Sequence, residues 1–243
     1  MKRLYVVGLG PGKQEGMTLA ADRALRESEI IIGYSKYVAL VQPYFPEKAY
    51  MDTGMTKETE RCRKALETAN EGQTTALVCS GDSSVYGMAG LVYELSVDYP
   101  DVSIRVIPGV TAALSGGAIL GAPLGHDFAV ISLSDLLTPW ETIEKRLHCA
   151  GQGDFCISLY NPGSHKRTDY LQKACDILLQ YRSGDTVCGL AHDIGRDGEW
   201  CELTTLAKLR DTAVDMFTTV FIGNDQTRVI AGKMVTPRGY RLD

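Results

Sequence analysis

Short apolar runs rich in β-branched residues alternate with helix-like stretches along the whole chain, and this alternation constrains the fold most. The runs are Leu4–Val7, Ile30–Ile32, Thr75–Cys79 and Ile104–Ile107, and later Phe128–Leu133, Phe155–Tyr160, Thr186–Ala191 and Thr219–Ile222. Runs of this kind are typical of parallel strands that helices cover on both faces. The sequence therefore predicts an α/β fold with mostly parallel sheets.

The segment Gly121–Gly125, which reads Gly-Ala-Pro-Leu-Gly, interrupts the alternation at mid-chain. Glycine and proline at this density indicate a break between elements, and the alternation restarts after it. We therefore predict two α/β domains, residues 1–121 and 122–243. Helices are expected at about 87–98, 111–120, 140–150 and 167–181, and where Cys62, Ala65, Leu66 and Ala69 share one helical face.

Charge and hydropathy exclude several classes of protein. The 243 residues carry a formal net charge of -5, which argues against nucleic acid or an anionic membrane as the main partner. No apolar run approaches the roughly 20 residues of a membrane span, and no secretory signal is visible. The seven cysteines are scattered and never form Cys-x-x-Cys, so we interpret them as buried apolar residues and expect no metal site. We expect a cytoplasmic protein.

A glycine-rich turn, Gly8-Leu9-Gly10-Pro11-Gly12, directly follows the first predicted strand. A dinucleotide-binding fold places its phosphate loop here, but the third glycine of that motif would fall at Lys13. The second predicted strand is followed by Gly33 and Tyr34, without the carboxylate that binds a ribose in that fold. A nicotinamide-dependent oxidoreductase is therefore disfavoured but stays an alternative, as does a tight turn that binds no ligand.

Two more small-residue loops, Cys79–Gly87 and Pro108–Ala113, follow later strands of the first half. The carboxyl ends of parallel strands share one edge of a sheet, and ligands of α/β proteins bind at that edge. We therefore expect the three loops to form one pocket. Asp82 offers a carboxylate there to hydroxyls or to a cationic group, or else it caps a helix.

Together the three loops resemble those of the tetrapyrrole methylases, a family of class III methyltransferases that use S-adenosylmethionine (SAM). The family begins with Gly-x-Gly-Pro-Gly, here Gly8–Gly12, and Thr18 opens the next helix. It continues with Gly-Asp-Pro-x-x-Tyr-Gly, here Gly81–Gly87 with Ser83 in place of the proline. A Pro-Gly-x-Ser/Thr stretch that leads to Gly-x-Pro-Leu follows, here Pro108–Leu124. The resemblance spans essentially the whole chain.

The resemblance implies that SAM binds in a trough between the two domains and leaves as S-adenosylhomocysteine. Carried over position by position, the cofactor-binding residues are Leu9, Pro11, Gly81, Asp82, Val85, Tyr86, Thr111, Ala112, Tyr160, Asn161 and Ala191. Apolar walls with a few convergent polar groups suit a nucleoside that carries a sulfonium. The resemblance also implies a homodimer.

The second half is similar to the subgroup that methylates carbon 17 of a cobalamin-pathway tetrapyrrole, either cobalt-factor III or precorrin-3B. The similarity lies in His126–Phe128, in Ile131–Trp140, in Leu159–Pro162 with Ser164 and Arg167, and in the tail at 236–240. It implies that methyl transfer is coupled to ring contraction and lactone formation. The alternatives are methylation of another tetrapyrrole carbon or of a non-tetrapyrrole substrate, and a module that binds a tetrapyrrole without converting it.

Ring contraction requires proton transfers by groups within hydrogen-bond reach of the substrate. The candidate catalytic residues are Asp127, Ser132, Ser134 and Asp135. Ser134 and Asp135 alternatively cap a turn before Pro139.

A substrate of this class carries many acetate and propionate groups, so cations are expected in the pocket despite the acidic total charge. Lys166 and Arg167 follow the Tyr-Asn-Pro turn and are the candidate substrate-binding residues. The alternative is that they only begin a solvated helix.

Overall fold

The computed structural model describes residues 2–164 and 168–241, and the contacts within the chain divide it into two compact units, Met1–Ala112 and Ala113–Asp243. The elements of the first unit are β1 (Arg3–Gly8), α1 (Leu19–Glu27), β2 (Ile30–Tyr34), α2 (Ser35–Val41), β3 (Ala49–Thr53), α3 (Glu58–Asn70), β4 (Thr75–Cys79), α4 (Ala89–Leu95) and β5 (Ser103–Ile107). In the described residues no helix has both the length and the apolar character that a membrane span needs.

The elements that follow begin with α5 (Ala112–Leu120), which opens the second unit. They continue with β6 (Gly121–Ala122), β7 (Phe128–Ser132), α6 (Trp140–Gln152), β8 (Cys156–Tyr160), α7 (Tyr170–Leu178), β9 (Val187–His192), β10 (Trp200–Thr205), α8 (Leu206–Leu209), β11 (Thr218–Ile222), β12 (Arg228–Ile230) and β13 (Lys233–Val235).

The sheet of the first unit is parallel at every pairing, with the strand order β3-β2-β4-β1-β5. Leu4 and Val6 of β1 pack in a layer with α3 and α4, whereas Tyr5 and Val7 pack in a layer with α1 and α2. Helices therefore cover both faces, which explains why the strands read as continuous apolar runs. The predicted helical face is confirmed, because its four residues are all fully buried: Cys62, Ala65, Leu66 and Ala69.

The strand order also separates this unit from the dinucleotide-binding fold. That fold has the order 3-2-1-4-5, in which the first strand lies beside the second. Here β4 lies between β1 and β2. The alternative of a nicotinamide-dependent oxidoreductase therefore lacks the fold on which it depends.

The larger sheet of the second unit is mixed, with the strand order β10-β9-β11-β8-β7. Strands β7 and β8 are parallel, whereas β11 is antiparallel to both β8 and β9, and β10 is antiparallel to β9. The prediction of mostly parallel sheets is confirmed for the described part of the chain as a whole, whereas three of the four pairings within this sheet are antiparallel. Because β7, β8 and β9 run in the same direction, their carboxyl ends share one edge.

Helix α5 belongs with the second unit by its contacts. A Cβ on Gly116 would lie 2.9 Å from the side chain of Ile194 and 3.0 Å from the ring of Phe221, so the helix backbone packs directly on them. The compact units therefore separate at the start of α5, whereas the predicted domain boundary after Gly121 lies at its end. The glycine-proline segment follows this helix and consists of strand β6 and the turn after it.

Candidate functional site

The carboxyl ends of β1 and β4 form the point at which the first sheet reverses its winding direction. The connection after β1 passes β4 to reach β2, and the connection after β4 passes β1 to reach β5. Two adjacent strands whose connections leave in opposite directions open a crevice between their loops, and ligands of open α/β sheets bind there. The Gly8–Gly12 and Gly81–Gly87 loops begin at this crevice.

The three glycine loops contact one another through backbone atoms. The amide of Gly10 donates to the carbonyl of Gly81 at 3.0 Å, and the amide of Gly81 donates to the carbonyl of Gly10 at 2.9 Å. A Cβ on Gly109 would lie 2.1 Å from the Gly81 oxygen, and one on Gly8 would lie 2.7 Å from the Gly109 nitrogen. Only glycine permits this approach, so the structure brings the three predicted loops together.

Asp82 ties the second loop to the third. Its carboxylate accepts hydrogen bonds from the amide of Gly109 at 2.9 Å, from the amide of Ser84 at 2.8 Å and from the Ser84 hydroxyl. Burial raises the pKa of Asp82, but these hydrogen bonds outweigh it and hold the pKa below its ordinary value. The helix that follows, α4, begins only at Ala89, so Asp82 does not cap it.

The other candidate residues of the first unit differ in how exposed they are. Leu9 is buried and its amide donates to the carbonyl of Cys79 at 2.8 Å, so its side chain belongs to the core. Tyr86 is exposed and adopts a positive φ of 54°. The remaining candidates are half-buried: Pro11, Gly81, Asp82, Val85, Thr111 and Ala112.

Thr18 connects the start of α1 to the third loop. Its hydroxyl accepts from the amide of Ala21 at 3.1 Å, which caps the helix as predicted, and donates to the carbonyl of Pro108 at 3.1 Å.

These residues fit a nucleoside better than a pyrophosphate. Pro11 has no amide hydrogen to donate, and Gly10 and Gly81 use their amides on each other. No carboxylate stands at the end of β2, which is Tyr34. The Cys79 side chain packs in the core with α3 and α4, and this burial raises the pKa of its thiol to about 11.

In the second unit, polar side chains gather where β7 and β8 end. The Asn161 side-chain amide donates to the Ser132 hydroxyl at 3.0 Å, and the amide of Ser134 donates to the same oxygen at 3.2 Å. Asn161 adopts a positive φ of 53°, a conformation that asparagine tolerates better than most residues. The Tyr160 hydroxyl accepts from the amide of Ala113 at 2.6 Å.

Asp135 lies in the same region and is held by a residue that sequence reasoning missed. The Tyr170 hydroxyl donates to its carboxylate at 2.6 Å. The Tyr170 ring packs against Trp140 with 4.6 Å between the centroids, and the Lys173 ammonium lies 5.1 Å from the Tyr170 ring. Helix α6 has Pro139 at its N-cap and no side-chain cap, so Asp135 does not serve that purpose. No sequence motif distinguishes Tyr170 from a packing residue.

The remaining candidates of the second unit lie elsewhere. Asp127 is exposed and precedes β7, whereas Ser132 is the last residue of that strand. At ~3.3 Å per residue, the two positions lie about 17 Å apart. Ala191 is fully buried near the carboxyl end of β9. Lys166 and Arg167 lie outside the described residues. Three of the four candidate catalytic residues are therefore brought together, and Asp127 is not among them.

The chain matches known proteins along its length. The model of the family Tetrapyrrole (Corrin/Porphyrin) Methylases matches residues 3–210. A probable cobalt-factor III C(17)-methyltransferase of Salmonella typhimurium is 48% identical over 240 residues, which are 98% of this chain and 100% of that protein. The cobalt-factor III methyltransferase of Priestia megaterium is 45% identical over 98% of this chain, which spans only 45% of that longer protein. The crystal structure of the methyltransferase CobJ matches with a TM-score of 0.89 at 36% identity, over 96% of this chain and 99% of that one.

Proposed function

The chain belongs to the tetrapyrrole methylases, and we propose that it transfers a methyl group from SAM to carbon 17 of a cobalamin-pathway tetrapyrrole, cobalt-factor III or precorrin-3B. The observation that carries this proposal is the similarity to a probable cobalt-factor III C(17)-methyltransferase at 48% identity over the full length of that protein. The alternative of a different ring carbon is an outcome of the tests below.

The three glycine loops of the first unit would hold the cofactor. SAM, when bound, supplies an electrophilic methyl group. Gly10, Gly81 and Gly109 keep side chains away from the crevice, and Asp82 keeps two of the loops in register. Tyr86, Thr111 and Ala112 add contacts from the rim of these loops, and Tyr160, Asn161 and Ala191 are proposed to add contacts from the second unit.

Methyl transfer by direct displacement needs no nucleophile from the protein, and the task of this chain is to orient the acceptor carbon.

We propose further that the transfer is coupled to ring contraction and lactone formation. Ser132, Ser134 and Asp135 supply hydrogen-bonding and proton-accepting groups at one strand end, within a network that includes Asn161 and Tyr170. Lys166 and Arg167 stay the candidate residues for the carboxylates of the substrate. We also propose that the protein acts in the cytoplasm as a homodimer, which predicts a mass in solution of twice 26.5 kDa.

Anaerobic incubation of the purified chain with SAM and cobalt-factor III, followed by mass spectrometry and an absorbance scan, tests the proposal. Gain of one methyl group with the spectrum of a contracted ring supports it. Gain of one methyl group without a spectral change supports methylation and removes ring contraction. If neither cobalt-factor III nor metal-free precorrin-3B gains a methyl group, the proposal is wrong.

A further inference from the structure

Two adjacent leucines are exposed to solvent on the loop between β7 and α6. The exposed fraction of the side chain is 71% for Leu136 and 97% for Leu137, whereas Leu133, three positions earlier, is fully buried. A single exposed leucine is common on protein surfaces and needs no explanation. Here the two most exposed leucines among the described residues of the second unit follow one another on the loop that also carries the candidate catalytic residues Ser134 and Asp135.

The loop that carries these leucines is anchored on both sides. Before them, the amide of Leu133 donates to the carbonyl of Tyr160 at 2.9 Å, and Asp135 accepts from the Tyr170 hydroxyl at 2.6 Å. After them, the ring of Trp140, the first residue of α6, packs against the Tyr170 ring with 4.6 Å between the centroids. The leucines therefore project from a held backbone, not from a free segment.

The residues around Tyr170, which holds this loop through Asp135, combine apolar surface with a cation. The Lys173 ammonium lies 5.1 Å from the Tyr170 ring and 5.7 Å from the Trp140 ring, in an ion pair with Asp169 at 2.7 Å. A tetrapyrrole has a flat apolar face and a rim of carboxylates, so an apolar contact next to a cation complements it. The hydroxyl of Ser132 lies at the start of the same loop.

We infer that Leu136 and Leu137 are the residues that pack against the apolar face of the tetrapyrrole, and that Tyr170 is a positioning residue that holds their loop through Asp135. This inference rests on the proposed function and adds to it the element that recognises the macrocycle. We infer that the leucine pair contacts the substrate and not a second copy of the chain, because the pair lies on the same loop as Asp135, and this loop directly follows Ser132 at the end of β7.

Steady-state kinetics of the Leu137→Ser variant and of the Leu136→Ser/Leu137→Ser double variant test the inference, with SAM and tetrapyrrole varied separately. We expect the KM for the tetrapyrrole to rise about tenfold in the double variant, because the lost apolar contact weakens binding. The KM for SAM should stay unchanged. Val97→Ser is the matched control, because Val97 is 77% exposed and follows α4, away from the carboxyl ends of the strands.

Tyr170→Phe removes only one hydroxyl and so tests the hydrogen bond from Tyr170 to Asp135. It should raise the KM for the tetrapyrrole while leaving the KM for SAM and the circular dichroism spectrum unchanged, a split that a general loss of structure would not produce. Tyr181→Phe is the control, since among the described residues the hydroxyl it removes binds the half-buried His148 at 2.9 Å.

The outcomes separate this inference from the function on which it rests. If the wild-type protein converts the tetrapyrrole and the leucine variants keep its KM, the inference is overturned and the proposed function stands. If the variants change the mass in solution but not the KM, the leucines cover a subunit contact, and the inference is again overturned. If the wild-type protein neither binds nor converts a tetrapyrrole, the proposed function fails first.

Discussion

At the scale of single residues, the crevice depends on positions that have no room for a side chain. Gly109 is the most confined, since its Cβ would lie 2.1 Å from the Gly81 oxygen, which is backbone and cannot rotate away. The loops must move apart to accept any other residue, and the surface proposed for SAM would change shape with them.

We therefore expect Gly109→Ala to destabilise the protein by about 1–3 kcal/mol and to weaken SAM binding, because it displaces the second loop. Gly90→Ala is the control: Gly90 lies in α4 with nothing within 4 Å of the added Cβ, so the change should be neutral or stabilise by about 0.5–1 kcal/mol. Thermal unfolding and calorimetric titration with SAM measure both effects. An unchanged SAM affinity in Gly109→Ala would contradict this description of the crevice.

Asp82 gives a prediction that depends on pH. Its pKa in the folded protein is lowered from the ordinary 3.8, so its stabilising contribution is complete above that value and is lost as the pH falls through the lowered pKa. Asp82→Asn leaves one acceptor oxygen for amides that now bind two. We expect it to cost about 1–2 kcal/mol of unfolding free energy at neutral pH.

The measurement is urea denaturation of both proteins at a series of pH values. The difference between them should be constant from neutral pH down to about pH 5 and should shrink below the ordinary pKa of 3.8. A difference that grows in acid would show that the carboxylate does not act through its ionised form.

At the scale of elements, the opposite ends of β7 distinguish two carboxylates that the sequence placed together. Asp135 follows the carboxyl end of the strand and Asp127 precedes its amino end. We expect Asp135→Asn to lower the rate of ring contraction by about 10²–10⁴, the usual range for a lost acid–base group. Asp127→Asn should keep a rate close to that of the wild-type protein.

Formation of the contracted ring, followed by absorbance, measures both rates. An equal loss in the two variants would mean that the two ends of the strand both serve the reaction, or that neither variant reports on proton transfer.

The buried strands could all be predicted from the sequence, whereas of the four edge strands of the two five-stranded sheets only β5 and β7 were predicted. The predicted runs at β1, β2, β4, β8 and β11 coincide with strands in which nearly every residue is buried. The missed strands β3 and β10 lie at sheet edges and are largely exposed, so they lack the continuous apolar pattern. The antiparallel direction of β11 was also missed, because an apolar run carries no information on strand direction.

The candidate site was predictable to a similar extent. Glycine loops after parallel strands indicate where the crevice lies, because strand ends share an edge. Contacts between distant positions do not show in a linear pattern, and the bond from Tyr170 to Asp135 is the clearest case. The separation of Asp127 from Ser132 follows from the bounds of β7, which the sequence predicted to within one residue.

At the scale of the whole molecule, the chain pairs an acidic total charge with a proposed polyanionic substrate. A net charge of -5 repels such a substrate at long range, so recognition must come from local cations and apolar contact. Family membership sets the chemistry as methylation, whereas the methylated carbon depends on the orientation in which the macrocycle is held.

The position of the transferred methyl group is therefore the most direct test of the account. Anaerobic turnover of cobalt-factor III with SAM labelled with ¹³C in its methyl group, followed by NMR of the isolated product, locates that methyl on the ring. We predict a single labelled methyl on carbon 17. A label on any other ring carbon would contradict the proposed function, while the chain would still belong to the tetrapyrrole methylases.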